Sequence, residues 1–550
     1  MHTIRNGRAG FGLLPRLLLA LSGSCVAVLM MNTEYKLSFC VTAALSLVIM
    51  LVVCLKTEFL PALFAEKKPF ACLLSGVLAA AAAYWSKASF YHCCGAWLWK
   101  LAALIHLPAS SYIIRAIPWL LALFALPMLW GYTLWFVGFL GKIIREIVSG
   151  SDFAEKLFFI SFGIIFIAII VFTYSCTQAF YGAHINGHWY NFDLVYSADS
   201  GYLVREDVYR TIGASQNDLR QPLFGVFALP FATAAKLISL LLPFWSHAYI
   251  TILQIMEMLL FLSAMLLLVR MMGLKGTERV LCWTILCVAY PTLIFSLTAE
   301  QYLFAVFWLI CLIYFREEKE RSGLFFIAAT GSMLTSGIFF PLVTWDRDFK
   351  RFVLKTARLC GMFFVFVVLS GRLTTFLDIP YYIAGYGYYS GVDVSLVSKL
   401  MQYVNFAASS LFAPASAIDF TTYSHVSWQM LPVMGWNPLG LLVILGAAAG
   451  FIAGRKEPLI RIAGAWVLFS LLLLGIVGWG TVDNGLLLYS LYFGWAYICL
   501  LVRLVRVIPE NYGFARLLIL AAVIAILCIR NIPALRDVLV FATKFFPLLE

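Results

Sequence analysis

Charge is what this sequence has least of. Asp, Glu, Lys and Arg make up 12% of the 550 residues, against about 25% in an ordinary soluble domain, and that deficit excludes a soluble globular chain. Metal-site patterning is missing as well. The thirteen cysteines lie mostly within apolar runs, with no CxxC pair and no His/Cys cluster at ligand spacing. The adjacent Cys93-Cys94 pair carries no assignable disulfide or redox role. No soluble domain and no internal repeat interrupts the apolar character. A net charge of +12 would suit nucleic acid if it were gathered on one surface. Lys and Arg instead sit in short connections between apolar runs, as the positive-inside rule of membrane proteins requires. The expected partner is therefore the lipid bilayer and not nucleic acid.

What is present is hydrocarbon. Hydrophobic residues amount to 63% of the chain. Runs of roughly 20 apolar residues, enough to span about 30 Å of hydrocarbon, recur from Leu13 to Cys528. Membrane helices are predicted over 13–31, 37–55, 70–86, 113–140, 157–176, 248–269, 280–297, 299–315, 359–373, 438–453, 460–478, 486–502 and 517–529. Arg5, Arg8 and Arg16 before the first run resemble a signal peptide. No small-residue cleavage site follows, so that run reads as a retained first helix.

Eight connections hold most of the basic residues: the N-terminus, 56–68, 142–156, 270–279, 316–321, 347–358, 455–461 and 503–516. All are assigned to the cytoplasm. Parity then forbids 223–245 and 324–345 from being simple crossings. The first is marked by Pro222, Pro230 and Pro243, the second by Thr335-Ser336-Gly337 and Pro341. Proline removes a backbone donor, and broken helices survive at membrane depth where protein or a polar cavity satisfies the freed groups. Half-membrane hairpins or surface helices are expected there. The fold expected is an all-α polytopic bundle of about 13 crossings, each of roughly 20 residues, with the N-terminus cytoplasmic and the C-terminus outside.

This layout puts 87–112, 177–222 and 374–437 on the outer face. The first has aromatics and a Lys at helical spacing and is expected to lie in the interface. The third is rich in Tyr (Tyr381, Tyr382, Tyr386, Tyr388, Tyr389), with Asp378, Asp393 and Asp419, and is too long for a plain connector. The chain divides into a four-helix membrane region over 1–156, a core over 157–373, and a long outer loop with C-terminal membrane helices over 374–550.

One stretch breaks the hydrocarbon. Between Gln178 and Gln221 lie Asp193, Asp199, Glu206, Asp207 and Asp218, with Arg205, Arg210, Arg220, His184 and His188. Ionisable groups held against a bilayer are costly and mark a functional site by default. The rest of the chain reads as the scaffold for this loop.

At Asp199-Ser-Gly-Tyr202 and Arg220-Gln-Pro222-Leu223 the sequence resembles polyprenyl-phosphate-sugar-dependent glycosyltransferases of the GT-C fold, the superfamily of protein O-mannosyltransferases and aminoarabinose transferases. There, a first large outer loop carries an acidic residue, often with a Tyr a few residues later, and closes with a [His/Lys]-Pro-Pro-Leu motif. Tyr290-Pro291-Thr-Leu followed by Thr298-Ala299-Glu300-Gln-Tyr302 is similar to the family's second outer loop. The resemblance runs in order over roughly 157–345. Four helices precede the loop-bearing one where the family usually has one. Gln221 replaces the first Pro of the closing motif, no strict Asp-x-Asp lies near Asp199, and no large soluble C-terminal domain follows. The resemblance implies a GT-C-like core, a polyprenyl-phosphate-linked sugar as donor, and a glycan, lipid or protein acceptor. It implies a bacterial plasma membrane or ER membrane. It fixes no cofactor and leaves room for a divalent metal.

The chemistry is coherent beside the resemblance. Inverting transfer needs a base to take a proton from the acceptor, and a positioned base contributes about 10²–10⁴-fold. The lipid phosphate leaving group needs positive charge, which Arg offers as a planar fork. Asp199 is the expected base, its competing role a helix cap, and Asp193 is the alternative. Arg220, Arg205, Glu300 and Tyr202 are the expected substrate-binding residues. Glu300 could equally make a structural interhelical hydrogen bond. Glu206 and Asp207 sit at ion-pair spacing from Arg210 and read as a solvated face. His184 and His188 have i,i+4 spacing, but Asn186 and Gly187 between them argue against a helix and hence against zinc. Glu257 is a second acid inside an apolar run and is expected to face the bundle interior. Trp428, Trp436 and Trp479 read as an interfacial belt. The competing function is a transporter or flippase of lipid-linked glycans, which needs mid-membrane binding but no surface carboxylate. A transferase of acyl or phospho groups would show a His or Ser/Thr nucleophile motif, and none is evident.

Overall fold

The computed structural model describes residues 12–31, 36–56, 63–64, 68–106, 112–180, 184–185, 188–189, 194–196, 220–318, 321–373, 380, 385, 387, 390–420, 426–480 and 486–548. Its helices begin with α1 (Leu13–Met30), α2 (Lys36–Lys56), α3 (Pro69–Leu104), α4 (Tyr112–Ser149), α5 (Phe153–Cys176) and α6 (Phe224–Ser239). They continue with α7 (Ala248–Met271), α8 (Gly276–Val288), α9 (Tyr290–Phe295), α10 (Tyr302–Tyr314), α11 (Ser322–Ser332), α12 (Pro341–Thr344) and α13 (Phe349–Leu369). The last are α14 (Leu396–Ser409), α15 (Pro438–Gly454), α16 (Pro458–Ser470), α17 (Leu486–Val505) and α18 (Gly513–Phe545). Among the described residues sheet is confined to two antiparallel hairpins, β1 (His184–Ile185) with β2 (His188–Trp189) and β3 (Ser416–Asp419) with β4 (Ser427–Met430). Nine helical stretches among the described residues are long and apolar enough to cross a bilayer. The chain is an all-α, multi-pass membrane protein.

Several elements differ from the sequence expectation. α3 continues as helix from Pro69 to Leu104 through the segment expected in the interface. The apolar run 280–297 divides at Ala289, whose backbone is extended (φ −58°, ψ 136°) ahead of Pro291 in the first turn of α9. The run 324–345 is broken into α11, a 3₁₀ turn over Leu334–Phe339 and the single turn α12. The run 223–245 yields α6, whose 16 residues extend about 24 Å. The run 460–478 passes from α16 into a π-helix over Leu471–Val477, which Gly478 ends in the left-handed region (φ 82°).

The chain forms two compact units. The first comprises Met1–Glu146, Glu206–Leu237 and Met333–Ile379. Its core is built from Leu19, Ala20, Met50, Cys54, Leu63 and Met128, with Trp135 and Leu369 packed against them. Pro127 lies inside α4, and the neighbouring Met128 amide donates to Ser22 Oγ of α1 at 3.0 Å. Gly371, at φ +74°, follows α13 where an added Cβ would meet Ala27 O at 2.6 Å.

The second unit comprises Ile147–Arg205, Ile238–Ser332 and Pro380–Glu550. Charge gathers at one end of it. Asp152 caps α5, accepting from the Glu155 amide at 2.9 Å. That hydrogen bond, then the Arg279 guanidinium, holds the Asp152 carboxyl below the usual carboxylate range. Buried Glu155 receives Arg270 through both nitrogens of a fork, Nε at 3.0 Å and Nη2 at 2.6 Å, and Arg270 Nη2 also donates to Ser151 Oγ and Ile147 O. Tyr314, at the end of α10, reaches the same Arg270. Arg506 donates to Met272 O at 2.9 Å, Arg516 pairs with Glu278 at 3.3 Å, and Arg503 pairs with Glu457 at 2.6 Å. The basic connections around Glu155, Arg270, Arg316, Glu457 and Arg503 therefore share one end of this unit.

Candidate functional site

The opposite end of the second unit is where the polar stretch begins. α5 finishes at Cys176, and Thr177 Oγ1 donates to Ala542 O at 2.9 Å and Phe546 O at 2.7 Å. The Gln178 amide donates to Phe546 O, and the Leu548 amide returns to Cys176 O. The end of α18 thus fixes the point from which the loop departs.

Within that loop, Leu194, Val195 and Tyr196 are buried and held by a second partner. The Trp428 amide donates to Leu194 O and the Tyr196 amide to Trp428 O, each at 2.8 Å, and the Leu194 amide donates to Ala179 O. Tyr196 sits at φ 59°, a left-handed conformation that costs a residue with a Cβ about 1–2 kcal/mol. The hydroxyl offsets that cost. It lies 2.6 Å from the Tyr290 hydroxyl and 3.1 Å from Ser416 Oγ, and it accepts from Trp428 Nε1 at 3.3 Å. Burial pushes the Tyr196 phenol above its ordinary range, so it remains a donor. Trp428 belongs to this cluster, with its ring 5.5 Å from Phe541.

The backbone beneath the cluster is irregular and is satisfied from inside the protein. Asn531 of α18, fully buried, donates through Nδ2 to Val288 O at 2.9 Å and Leu411 O at 2.8 Å, and accepts from the Ala413 amide at 2.8 Å. The Tyr290 amide donates to Leu411 O. One amide side chain therefore serves both the α8–α9 break and the approach to β3. Freed backbone groups at such depth demand partners of this kind.

Past α9 the chain turns through 296–301 into α10. Tyr174 of α5 donates to Leu297 O at 2.7 Å, and Gln254 Nε2 of α7 donates to Phe295 O at 2.8 Å and Ser296 O at 3.0 Å. Glu300 lies in this turn, 1% exposed, just before the first turn of α10, where the helix dipole favours negative charge. Glu257 is also buried, on α7, as its place in an apolar run led one to expect.

The Arg220-Gln-Pro222-Leu223 stretch lies in the first unit. Gln221, Pro222 and Leu223 are buried and Arg220 is half-buried, and the turn they form leads into α6. Inside α6, Pro230 has no N–H to offer Val226 O. The Tyr132 hydroxyl of α4 takes that carbonyl at 2.5 Å.

Of the residues expected from sequence, Asp193, Asp199, Tyr202 and Arg205 lie outside the described residues, as do Glu206, Asp207 and Arg210. Arg220 belongs to the first unit and Glu300 to the second. His184 and His188 lie on paired strands in which Ile185 faces His188 and His184 faces Trp189. They are neither on one helix nor opposite one another. Among the described residues no group of three or more His, Cys, Asp or Glu could hold a metal ion. The sequence reading missed Tyr196, Asn531 and Gln254. Gln254 was visible as a polar residue inside the apolar run 248–269, whereas Asn531 lies just past the expected run 517–529. Tyr196 gave no signal beyond its place between Asp193 and Asp199. No protein-family model, no curated protein and no solved structure matches the chain.

Proposed function

We propose that the chain is a membrane glycosyltransferase of the GT-C type, moving a sugar from a polyprenyl-phosphate carrier to an acceptor at the outer or luminal face of the membrane. The observation that carries the reading is the hydrogen-bonded Tyr196 cluster. It anchors the middle of the acidic loop, with Asp193 immediately before the anchored triplet and Asp199 three residues after Tyr196. In this mechanism Asp199 takes the proton from the acceptor hydroxyl or amide. The acceptor atom attacks the anomeric carbon, and the bond to the phosphate oxygen breaks with inversion. Arg205 neutralises the departing polyprenyl phosphate, while Tyr202 and Glu300 orient the sugar. A divalent metal is an optional companion of the phosphate. The helices too short to cross on their own complete a set of about 13 crossings in this reading, with roughly 20 apolar residues per crossing and the lipid tail in a groove among broken segments.

The test is substitution of the base. Asp199→Asn keeps the shape and still caps a helix, but it does not take a proton at neutral pH. The variant is expected to insert normally, bind donor and lose about 10²-fold or more of transfer rate. Asp193→Asn, measured in parallel, is expected to retain activity. Loss confined to Asp193→Asn transfers the role to that residue, and normal transfer in both removes the loop from the chemistry. A transporter of lipid-linked glycans is the second reading, favoured by the buried Glu257 in the membrane-spanning α7. Transport without transfer by purified protein in vesicles would select it.

A further inference from the structure

α7 carries two buried polar side chains one turn apart, Gln254 and Glu257, at 0% and 1% exposure. At i and i+3 they share a helix face. Gln254 Nε2 is committed to Phe295 O and Ser296 O. Gln254 Oε1 and Glu257 Oε2 are both buried acceptors with no hydrogen-bond donor. Leaving one such acceptor bare costs about 1–3 kcal/mol, and more when it is charged.

Among the described residues, the elements packed most closely against α7 supply no cation to meet them, and the 296–301 turn held by Gln254 adds only an acid, Glu300. α5 has no ionisable side chain between Lys156 and Tyr174, α8 beyond Arg279 has only Cys282 and Cys287, and α10 has only Tyr302, Cys311 and Tyr314. Arg270, on α7 itself, is about 20 Å further along the axis and is paired with Glu155. A metal ion is a poor occupant, because hard cations gather roughly six or more oxygens and two are orphaned here. A proton needs only two acceptors.

We infer that Glu257 is an intramembrane proton-binding site, a neutral acid whose carboxyl O–H is donated to Gln254 Oε1. The same face of α7 runs on through Phe261 and Met265 into a small cavity that Thr292, Ser410 and Ser490 also line. Each of those hydroxyls donates to a backbone carbonyl, of Leu286, Phe406 and Leu487 in turn. Their lone pairs remain to accept from a water that carries the proton in or out. The inference does not rest on the transferase reading.

A lipid-soluble carbodiimide, dicyclohexylcarbodiimide, reads the proton directly. The carboxyl proton passes to a nitrogen of the reagent as the carboxyl oxygen bonds its central carbon. The adduct then rearranges to a stable N-acylurea with nothing leaving. With the full chain in lipid vesicles at neutral pH, peptide mass spectrometry is expected to place the adduct on Glu257, and Glu257→Gln to lose it. The infrared difference between wild type and Glu257→Gln should contain a neutral-acid carbonyl band, and that band should move to higher frequency in Gln254→Leu. An unmodified Glu257 alongside other labelled carboxyls, a carboxylate band replacing the acid band, or a band unmoved in Gln254→Leu overturns the proposal. If Glu257→Gln does not fold, the adduct position in wild type and the shift in Gln254→Leu still decide.

Discussion

Tyr196 holds a conformation that glycine would adopt without cost, and it does so because its side chain and its amide both have fixed destinations. The amide meets β4 and the phenol meets Tyr290 and Ser416. Tyr196→Phe keeps the ring and removes only the hydroxyl, leaving the Tyr290 hydroxyl and the Trp428 indole each short of a contact. Destabilisation of about 1–3 kcal/mol is expected, read as a lowered unfolding midpoint in detergent. On the transferase reading turnover and donor affinity should both fall, because Asp199, Tyr202 and Arg205 all follow this anchor on the same loop. The acids on either side were legible as candidates, since carboxylates beside a bilayer stand out in any composition. Tyr196 was not. Its role depends on Trp428, 232 positions away, and no local pattern encodes that pairing.

Apolar length and capping made most helices readable at the scale of the element. α15 starts where Asn437 accepts from the Leu439 and Gly440 amides with Pro438 in the first turn, a pattern visible in sequence. The expected end of the third helix near residue 86 failed because Lys87 did not stop it. The Lys87 ammonium lies 3.4 Å from the Tyr84 ring centroid and 3.8 Å from that of Trp119, so the charge is accommodated on the helix. The break at Ala289 was half legible, through Pro291. Its other cause, Asn531, comes from a distant helix.

Two element-scale predictions follow from how helices meet. Glu155 accepts a bidentate Arg270 while 3% exposed. Glu155→Ala leaves a part-buried Arg270 without its carboxylate and is expected to cost less than the roughly 3–5 kcal/mol of a fully buried pair, whereas replacing both partners with apolar residues should cost less still. Unfolding midpoints of the two singles and the double measure this. On α15, Gly446, Gly450 and Gly454 recur every fourth residue, the small-residue spacing that lets membrane helices approach closely. A Cβ at Gly450 would strike the Leu500 carbonyl of α17, while at Gly446 it would meet only the movable Leu501 side chain. Gly450→Ala should therefore lower stability by at least the roughly 1–3 kcal/mol of ordinary overpacking, and Gly446→Ala by less. Equal effects would mean that the two helices slide apart freely.

For the whole molecule the question is sidedness. The ion pairs of Arg270, Arg503 and Arg516, with the Arg506 hydrogen bond to Met272 O, gather basic connections at one end of the second unit. Thr177, Tyr196 and β4 gather the polar loop and the second hairpin at the other. On the positive-inside rule we propose that the first end faces the cytoplasm. Met434, 93% exposed, lies beyond β4, and Glu317, its side chain 86% exposed, follows α10. Both positions are open enough that only the membrane should limit reagent access. In a cysteine-free background, Met434→Cys should react with a membrane-impermeant maleimide added outside intact cells, and Glu317→Cys only after permeabilisation. Reaction of Glu317→Cys alone from outside would invert the chain and put the acidic loop in the cytoplasm, where polyprenyl-linked donors facing outward would be beyond its reach. Reaction of both from one side would separate the ion-paired end from the cytoplasm and leave the positive-inside assignment without a structural basis.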